Sequence, residues 1–265
     1  MRVVLGVEYD GSDFCGWQTQ VSRCGVQDRL EAALASINGD VVETVCAGRT
    51  DAGVHALEQI VHFDTSARRP PSAWVRGVNA SLPASLAVVW AQEAGDAFHA
   101  RYSARRRHYR YVLLNHPVRP AAAHGRVGWF HLPLDSERMR EAALLLTGEH
   151  DFSAFRSSEC QARSPVRQLH SIEIERRGAY LIFDFCANAF LHHMVRNLMG
   201  MLVYVGKGKR QPEWVAEVLA SRDRSRAAPT FDAAGLYLAR VEYDAHWGLP
   251  EGARERPAIV ELAPS

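Results

Sequence analysis

Three short stretches of the 265-residue chain hold side chains whose types and spacing suit chemistry. The first is Gly48-Arg49-Thr50-Asp51-Ala52-Gly53-Val54-His55. In an extended segment residues i and i+2 point the same way, so Arg49 and Asp51 can share a face. A neighbouring guanidinium keeps a carboxylate ionised. An ionised Asp51 suits the work of nucleophile, base or electrostatic stabiliser, and suits a general acid poorly. Gly48 and Gly53 let the backbone turn and let a ligand come close. The same residues also fit a structural Arg-Asp pair or an Asx-turn, and local chemistry alone leaves both readings open.

The second stretch is "AFLHHMVRNLMG", residues 189 to 200. His192 and His193 are adjacent, so they face different sides of a helix, and no HExxH motif is present; metal ligation is disfavoured. Arg196 stands among Met194, Val195, Leu198 and Met199. An arginine so placed snorkels or pairs with a carboxylate, for which Asp51 is the candidate. The third stretch is "RYSARRRHYR", residues 101 to 110, with five arginines, one histidine, two tyrosines and no acid. Strand alternation puts Arg107, Tyr109 and Tyr111 on one face. Aromatics among arginines suit stacking on an unstacked base, while a core tyrosine is the plainer alternative for one of the two.

The elements that must position these groups follow from periodicity. Residues 2–10 read as a strand, and residues 25–39 have helical spacing, with Leu30, Leu34 and Ile37 on one side and Gly39 at the stop. Residues 41–48 and 57–65 alternate as two strands around the Asp51 loop, followed by a helix after Pro71 and a strand over 86–94. The second half repeats that order. A strand over 105–115 leads to a helix drawn from 135 to 152, capped by Asp135 or Ser136. A hairpin turns at Arg177-Gly178, and a helix over 191–206, a further helix and a last strand over 235–243 follow. The expected fold is α+β: two similar βαββαβ-like domains with mainly antiparallel sheets and helices on one side. The boundaries expected are 1–102, 103–247, and a peripheral tail over 248–265.

Composition sets limits. With 47% hydrophobic and 23% charged residues, the chain is ordinary for a folded protein. No run of about 18 apolar residues predicts a membrane helix, and Glu8, Asp10 and Asp13 interrupt any signal peptide core. A cytoplasmic protein with no membrane association is expected. The five cysteines, at 15, 24, 46, 160 and 186, are odd in number and form no CxxC pair, so reduced thiols are expected, with neither a disulfide framework nor a zinc site. The net charge is only +1, yet Arg68-Arg69, Lys207-Gly208-Lys209-Arg210 and Arg222, Arg224 and Arg226 add local basic clusters, which matter more to RNA than the sum. Glu251, Glu255 and Glu261 dilute the total.

Eight segments in order carry a family resemblance: "YDGSDFCGWQ", "VQDRLEAAL", "AGRTDAGVHA", "FHARYSA", "RHYRYVLLN", "GEHDFSAFR", "ANAFLHHMVRNLMG" and "GLYL". Together, from about Tyr9 to Tyr243, the chain resembles the TruA family of tRNA pseudouridine synthases. That resemblance implies conversion of uridine to pseudouridine at positions 38, 39 and 40 in the anticodon stem-loop of tRNA, without metal or cofactor. It implies Asp51 as the essential carboxylate, directed at C6 of the base or C1′ of the ribose, with no choice between the two. Tyr109 would stack on the base and take part in removing the C5 proton, and Arg196 would pair with Asp51. Arg49 would hold the target nucleotide out of its stack, and Arg69, Arg101, Gln161 and Arg163 would contact tRNA. One site per chain is implied, in a cleft between the halves, and a homodimer.

Two other readings fit these residues less well. A non-catalytic RNA-binding module has no reason to place a carboxylate against polyanionic RNA. A phosphate-handling small-molecule enzyme would need the GxxxxGK[ST] spacing, which "AGRTDAG" lacks.

Overall fold

A computed structural model describes residues 1–250, and the expected tail lies, beyond that point, outside the described residues. In chain order the elements are β1 (Arg2–Tyr9), α1 (Val26–Asn38), β2 (Val45–Cys46), β3 (His55–Asp64), α2 (Pro71–Asn79) and β4 (Leu86–Ala94). They continue with β5 (Ala104–Asn115), β6 (Gly128–Phe130), α3 (Ser136–Leu144), β7 (Gly148–Asp151), β8 (Val166–Arg177), β9 (Tyr180–Ala187), α4 (Met194–Gly206), α5 (Trp214–Ser221) and β10 (Leu236–Tyr243). The chain divides into two compact units: Met1–Arg105 together with the chain from Tyr237 on, and Arg106–Leu236. The sequence reading keeps the last strand in the second domain, whereas here β10 returns to the first unit.

In the first unit β1 is central, antiparallel to β3 from Arg2↔Asp64 to Tyr9↔Ala56 and to β4 on its other side. The short β2 lies on β3, and β10 joins β3 in parallel through Tyr237↔His55 and Leu238↔Ala56. Helix α1 buries Val26, Leu30, Ala33 and Leu34, one face at helical spacing, and stops at Gly39 in the left-handed region (φ 86°). Gly77 lets α2 approach α1 closely; a Cβ there would lie 2.8 Å from Ile37. Trp74 of α2 meets Phe63 edge-on at 5.2 Å, both wholly buried. Each such side chain contributes about 1.5–3 kcal/mol by leaving water. The returning segment is fastened too: Tyr243 donates to the Ala100 carbonyl (2.6 Å), and Phe98 packs on Tyr243 and Trp247.

One departure from the sequence reading lies in β3. Alternating apolar residues predict a half-exposed strand, yet nine of its ten residues are buried or half-buried, among them His55, Glu58, Gln59 and His62. Both faces of β3 are covered, so its polar residues must find partners inside the protein.

In the second unit β9 is central, antiparallel to β5 from Arg107↔Ala187 to Leu114↔Tyr180 and to β8 across the hairpin at Gly178. β7 extends the sheet beyond β8, and β6 runs parallel to the end of β5. Helix α4 is buried along nearly its whole length, and α3 packs on α4 and β8. The helix drawn over 135–152 is too long. It stops at Leu144, and residues 148–151 form strand β7 instead. Gly148 sits at φ 113°, a conformation in which a helix cannot continue and which glycine alone adopts cheaply.

The cap of α3 is settled as Asp135, whose carboxylate accepts from the amides of Glu137 (3.0 Å) and Arg138 (3.1 Å). Replacing Asp135 by Ala should cost about 1 kcal/mol of folding free energy, and replacing Ser136 by Ala a few tenths at most. Urea denaturation of the two variants tests the assignment; equal losses would assign the cap wrongly.

Candidate active site

Asp51 lies half-buried in the loop between β2 and β3, with Arg49 exposed beside it. A buried polar network sets the path of this loop. The Gln59 side chain is wholly buried, donates to the Gly48 carbonyl (2.5 Å) and accepts from the Gly48 amide (3.3 Å). The Tyr9 and Thr50 hydroxyls share a hydrogen bond of 2.8 Å, and both residues are buried. The Trp17 amide donates to the Thr50 carbonyl (2.9 Å), and the Val54 amide donates back to the Asp51 carbonyl (3.1 Å), closing the turn. Gly53 completes that turn at φ 77°.

A second loop packs on the first from the N-terminal side. Gly16 sits at φ 96°, and a Cβ there would lie 2.8 Å from the Thr50 carbonyl oxygen and 3.1 Å from the Asp51 carbonyl carbon. Gly11 makes a similar approach to Val54, and its amide donates to His55 Nδ1 (3.1 Å). His55 is buried and stacks on Tyr237 at 4.5 Å, so the returning strand β10 backs the start of β3. The same loop corrects the expectation of reduced thiols. Cys15 and Cys24 are joined in a disulfide, while Cys46, Cys160 and Cys186 are buried thiols outside any disulfide. Nine residues of separation without a CxxC pattern gave no signal of this pairing.

The other predicted groups of the first unit are distributed around it. Arg69 is exposed just before α2, where Pro71 opens the helix. Arg101 is exposed in the turn after Phe98, its guanidinium 5.7 Å from the Tyr102 ring centre. That turn is held by His99, whose Nδ1 accepts from the Arg101 and Tyr102 amides (3.2 Å each), and by His62, whose Nδ1 accepts from the Ala100 amide (3.1 Å). Burial, with Arg2 nearby, pushes His62 down to about 4, so it remains a neutral acceptor. Arg49 and Arg101 are close enough to Cys46 to act on its thiol by charge, although burial dominates and pushes that thiol up to about 12. Two of the cations predicted to hold RNA therefore bear on one region of the unit. Arg105, in the same basic stretch, instead forks onto Asp244 (2.7 to 3.0 Å).

In the second unit Tyr109 is 8% exposed on β5, opposite Phe185, with Phe190 against it edge-on at 5.1 Å. Tyr111 is the core tyrosine of the pair: it is wholly buried, and its hydroxyl donates to the Asp232 carbonyl (3.1 Å). Burial holds that hydroxyl well above its usual range. Arg107 donates to the Asn188 carbonyl (2.8 Å). Arg196 is half-buried on α4, and its Nε donates to the Phe231 carbonyl (2.9 Å) while the Phe231 amide donates back to the Arg196 carbonyl (3.1 Å). Gln161 and Arg163 are exposed in the segment before β8.

Periodicity missed Gln59, Tyr9 and Thr50 as the groups that hold the loop. The available signal was polar residues within a strand otherwise apolar on both faces, a pattern that requires internal partners.

A family model described as tRNA pseudouridine synthase matches residues 6–103 and 142–244. The chain is 60% identical over 257 residues to tRNA pseudouridine synthase A of Thiobacillus denitrificans, covering 97% of this chain and 99% of that protein. It is 61% identical to the protein of the same name from Aromatoleum aromaticum, over 96% of each chain. The one from Nitrosomonas europaea is 55% identical over 98% of this chain and 96% of its own.

The close approach of Gly16 to the Asp51 loop gives a measurable expectation. Gly16→Ala should cost about 2–4 kcal/mol, combining left-handed strain with displacement of the loop. Gly39→Ala shares the strain (φ 86°), but its Cβ would meet nothing within 4 Å, so it should cost about 1 kcal/mol. Denaturation of both variants separates the two contributions, and equal costs would mean that the loop does not resist.

Proposed function

The chain belongs to the tRNA pseudouridine synthase family, and we propose that it isomerises uridines 38, 39 and 40 in the anticodon stem-loop of tRNA, as a cytoplasmic homodimer. The observation that carries this reading is Asp51 itself. It sits half-buried on a loop that a buried polar network holds in place, in a chain 60% identical to a synthase across nearly its whole length.

The reaction breaks the glycosidic N1–C1′ bond, turns the uracil and joins C5 to C1′. C5 loses a proton and N1 gains one, so product and substrate are isomers and nothing is donated or oxidised. Asp51 is assigned the essential role, as an ionised carboxylate acting on C6 of the base or C1′ of the ribose. An arginine two residues away favours the ionised form. Tyr109 is assigned stacking on the base and a part in moving the C5 proton. A mostly buried phenol with its ring braced by Phe190 suits such a platform. Arg196 is assigned to support the Asp51 charge, and Arg49 to hold the target nucleotide out of its stack, since a stacked base cannot be reached in place. Arg69, Arg101, Gln161 and Arg163 are assigned to tRNA contact; all are exposed.

Asp51→Asn keeps size and removes the charge. A catalytic Asp51 predicts a folded variant that binds unmodified tRNA as well as the parent or better, with single-turnover pseudouridine formation down about ten-thousandfold. Isomerisation at the parental rate by folded, tRNA-bound Asp51→Asn would sink the assignment. Tyr109→Phe keeps the stacking face and loses the hydroxyl. It should bind tRNA normally and slow turnover by about a hundredfold to ten-thousandfold. Parental turnover would leave Tyr109 as a platform only.

A further inference from the structure

The second unit contains a cavity of about 660 Å³ that the preceding assignments do not use. Its walls include Arg156, Ser157, Ser158, His193, Asn197 and Arg224, and among the described residues no carboxylate lines it. The volume falls in the range of ligand-binding clefts.

Arg224 and Arg156 define its chemistry. Arg224 is half-buried in the turn after α5, yet all its partners are neutral. It donates to the Ala228 carbonyl (2.9 Å), to Asn197 Oδ1 (3.0 Å) and to the Thr230 hydroxyl (3.0 Å). Asn197 is wholly buried and fixed in turn, donating to the Phe155 carbonyl (2.7 Å). The guanidinium is thus oriented by the protein without being neutralised, and burial lowers its proton affinity with no opposing charge. Arg156 is likewise half-buried and donates to the Cys160 carbonyl (2.7 Å). Among the described residues neither arginine forms an ion pair, in a chain where Arg2, Arg105, Arg110 and Arg177 all do. Asp151, beside Ser153 of the lining, accepts from the amide and hydroxyl of Ser153, is paired with Arg222 (3.3 Å) and also feels the charge of Arg156. Arg224 is the half-buried cation without a counter-charge, a placement that is costly unless an anion arrives to pair with it.

The remaining lining suits the same ligand. The Ser157 and Ser158 hydroxyls can donate to anionic oxygens. The thirteen-residue helix α4 begins at the cavity, with His193 as N-cap and Asn197 one turn on, and no side chain caps that end. Its amides and positive dipole end favour negative charge.

We propose that this cavity is a phosphodiester-binding site that takes a backbone phosphate of the tRNA substrate. Arg156 and Arg224 supply charge and forked hydrogen bonds, and the two serines supply donors. The proposal rests on tRNA being the substrate. It adds a binding locus separate from Gln161 and Arg163, the residues assigned to tRNA contact in the neighbouring segment.

Binding of unmodified tRNA to the full chain is measured across salt concentrations for the parent, Arg156→Met and Ser158→Asp, with a melting curve for each. Ser158 is exposed, so its variant folds without difficulty while placing a carboxylate at the cavity. Both variants should bind tRNA about tenfold to a hundredfold more weakly at unchanged melting temperature. Arg156→Met should also flatten the slope of log K against log salt by about 0.7 to 0.9, the loss of one phosphate contact. Parental affinity and slope in both variants would overturn the proposal. So would inorganic phosphate raising the melting temperature of the parent but not of Arg156→Met while both bind tRNA equally, because the cavity would then hold a free anion. These readouts are independent of isomerisation. A parent that binds tRNA but makes no pseudouridine would count against the proposed function and leave the binding site standing.

Discussion

The first unit depends on one constraint: a strand covered on both faces must satisfy its own polar side chains. Gln59 meets it by donating to the Gly48 carbonyl and accepting from the Gly48 amide, and on the neighbouring strand β1 the buried Tyr9 hydroxyl is paired with Thr50. A buried polar network with every member paired is rigid, because any departure leaves a donor or acceptor unsatisfied at a cost of about 1–3 kcal/mol. Asp51 is carried by the loop that this network holds. Its backbone therefore inherits the order of the core while its carboxylate stays half-exposed to a ligand. The glycines at 11 and 16 serve the same end by letting a second loop lie against the first at backbone-to-backbone distance.

The arginines illustrate how misleading a summed charge can be. A net +1 argues for no particular partner, and many of the cations are already spent on internal carboxylates. Arg105 on Asp244 is the instructive case, since it sits inside the densest basic run of the sequence. Arg156 and Arg224, which no run singles out as a pair, are oriented by neutral partners and form no ion pair among the described residues. What decides whether a cation is available to an anionic polymer is its partner in the folded chain, and composition does not record that.

Much of the architecture was legible because it rests on local rules. The β and α order of the first half, the stop of α1 at Gly39 and the hairpin at Gly178 follow from periodicity and turn chemistry, whereas the short strands β6 and β7 of the second half were not read. The overlong helix at α3 failed where Leu144, Leu145 and Leu146 continue a helical pattern that Gly148 then breaks. The loop that carries Asp51, between two strands and marked by its glycines, was legible too. Gln59, the Cys15–Cys24 link and the cavity beside α4 were not, because each joins residues that only the tertiary structure brings together. The return of β10 to the first unit was hidden for the same reason: its own sequence says strand, and nothing in it names the partner.

That return has a consequence for how the protein is made. Strand β3 gains its parallel neighbour β10 and His55 its stacking partner Tyr237 only after roughly 180 further residues have left the ribosome, and Ala100 gains its donor Tyr243 after 143. The second unit, continuous in the chain, can fold on emergence, while the unit translated first waits with an open sheet edge. Vectorial synthesis thus completes the Asp51-bearing half last. A nascent chain that ends before β10 leaves the His55–Ala56 end of β3 without its parallel partner, an edge that elongation then closes.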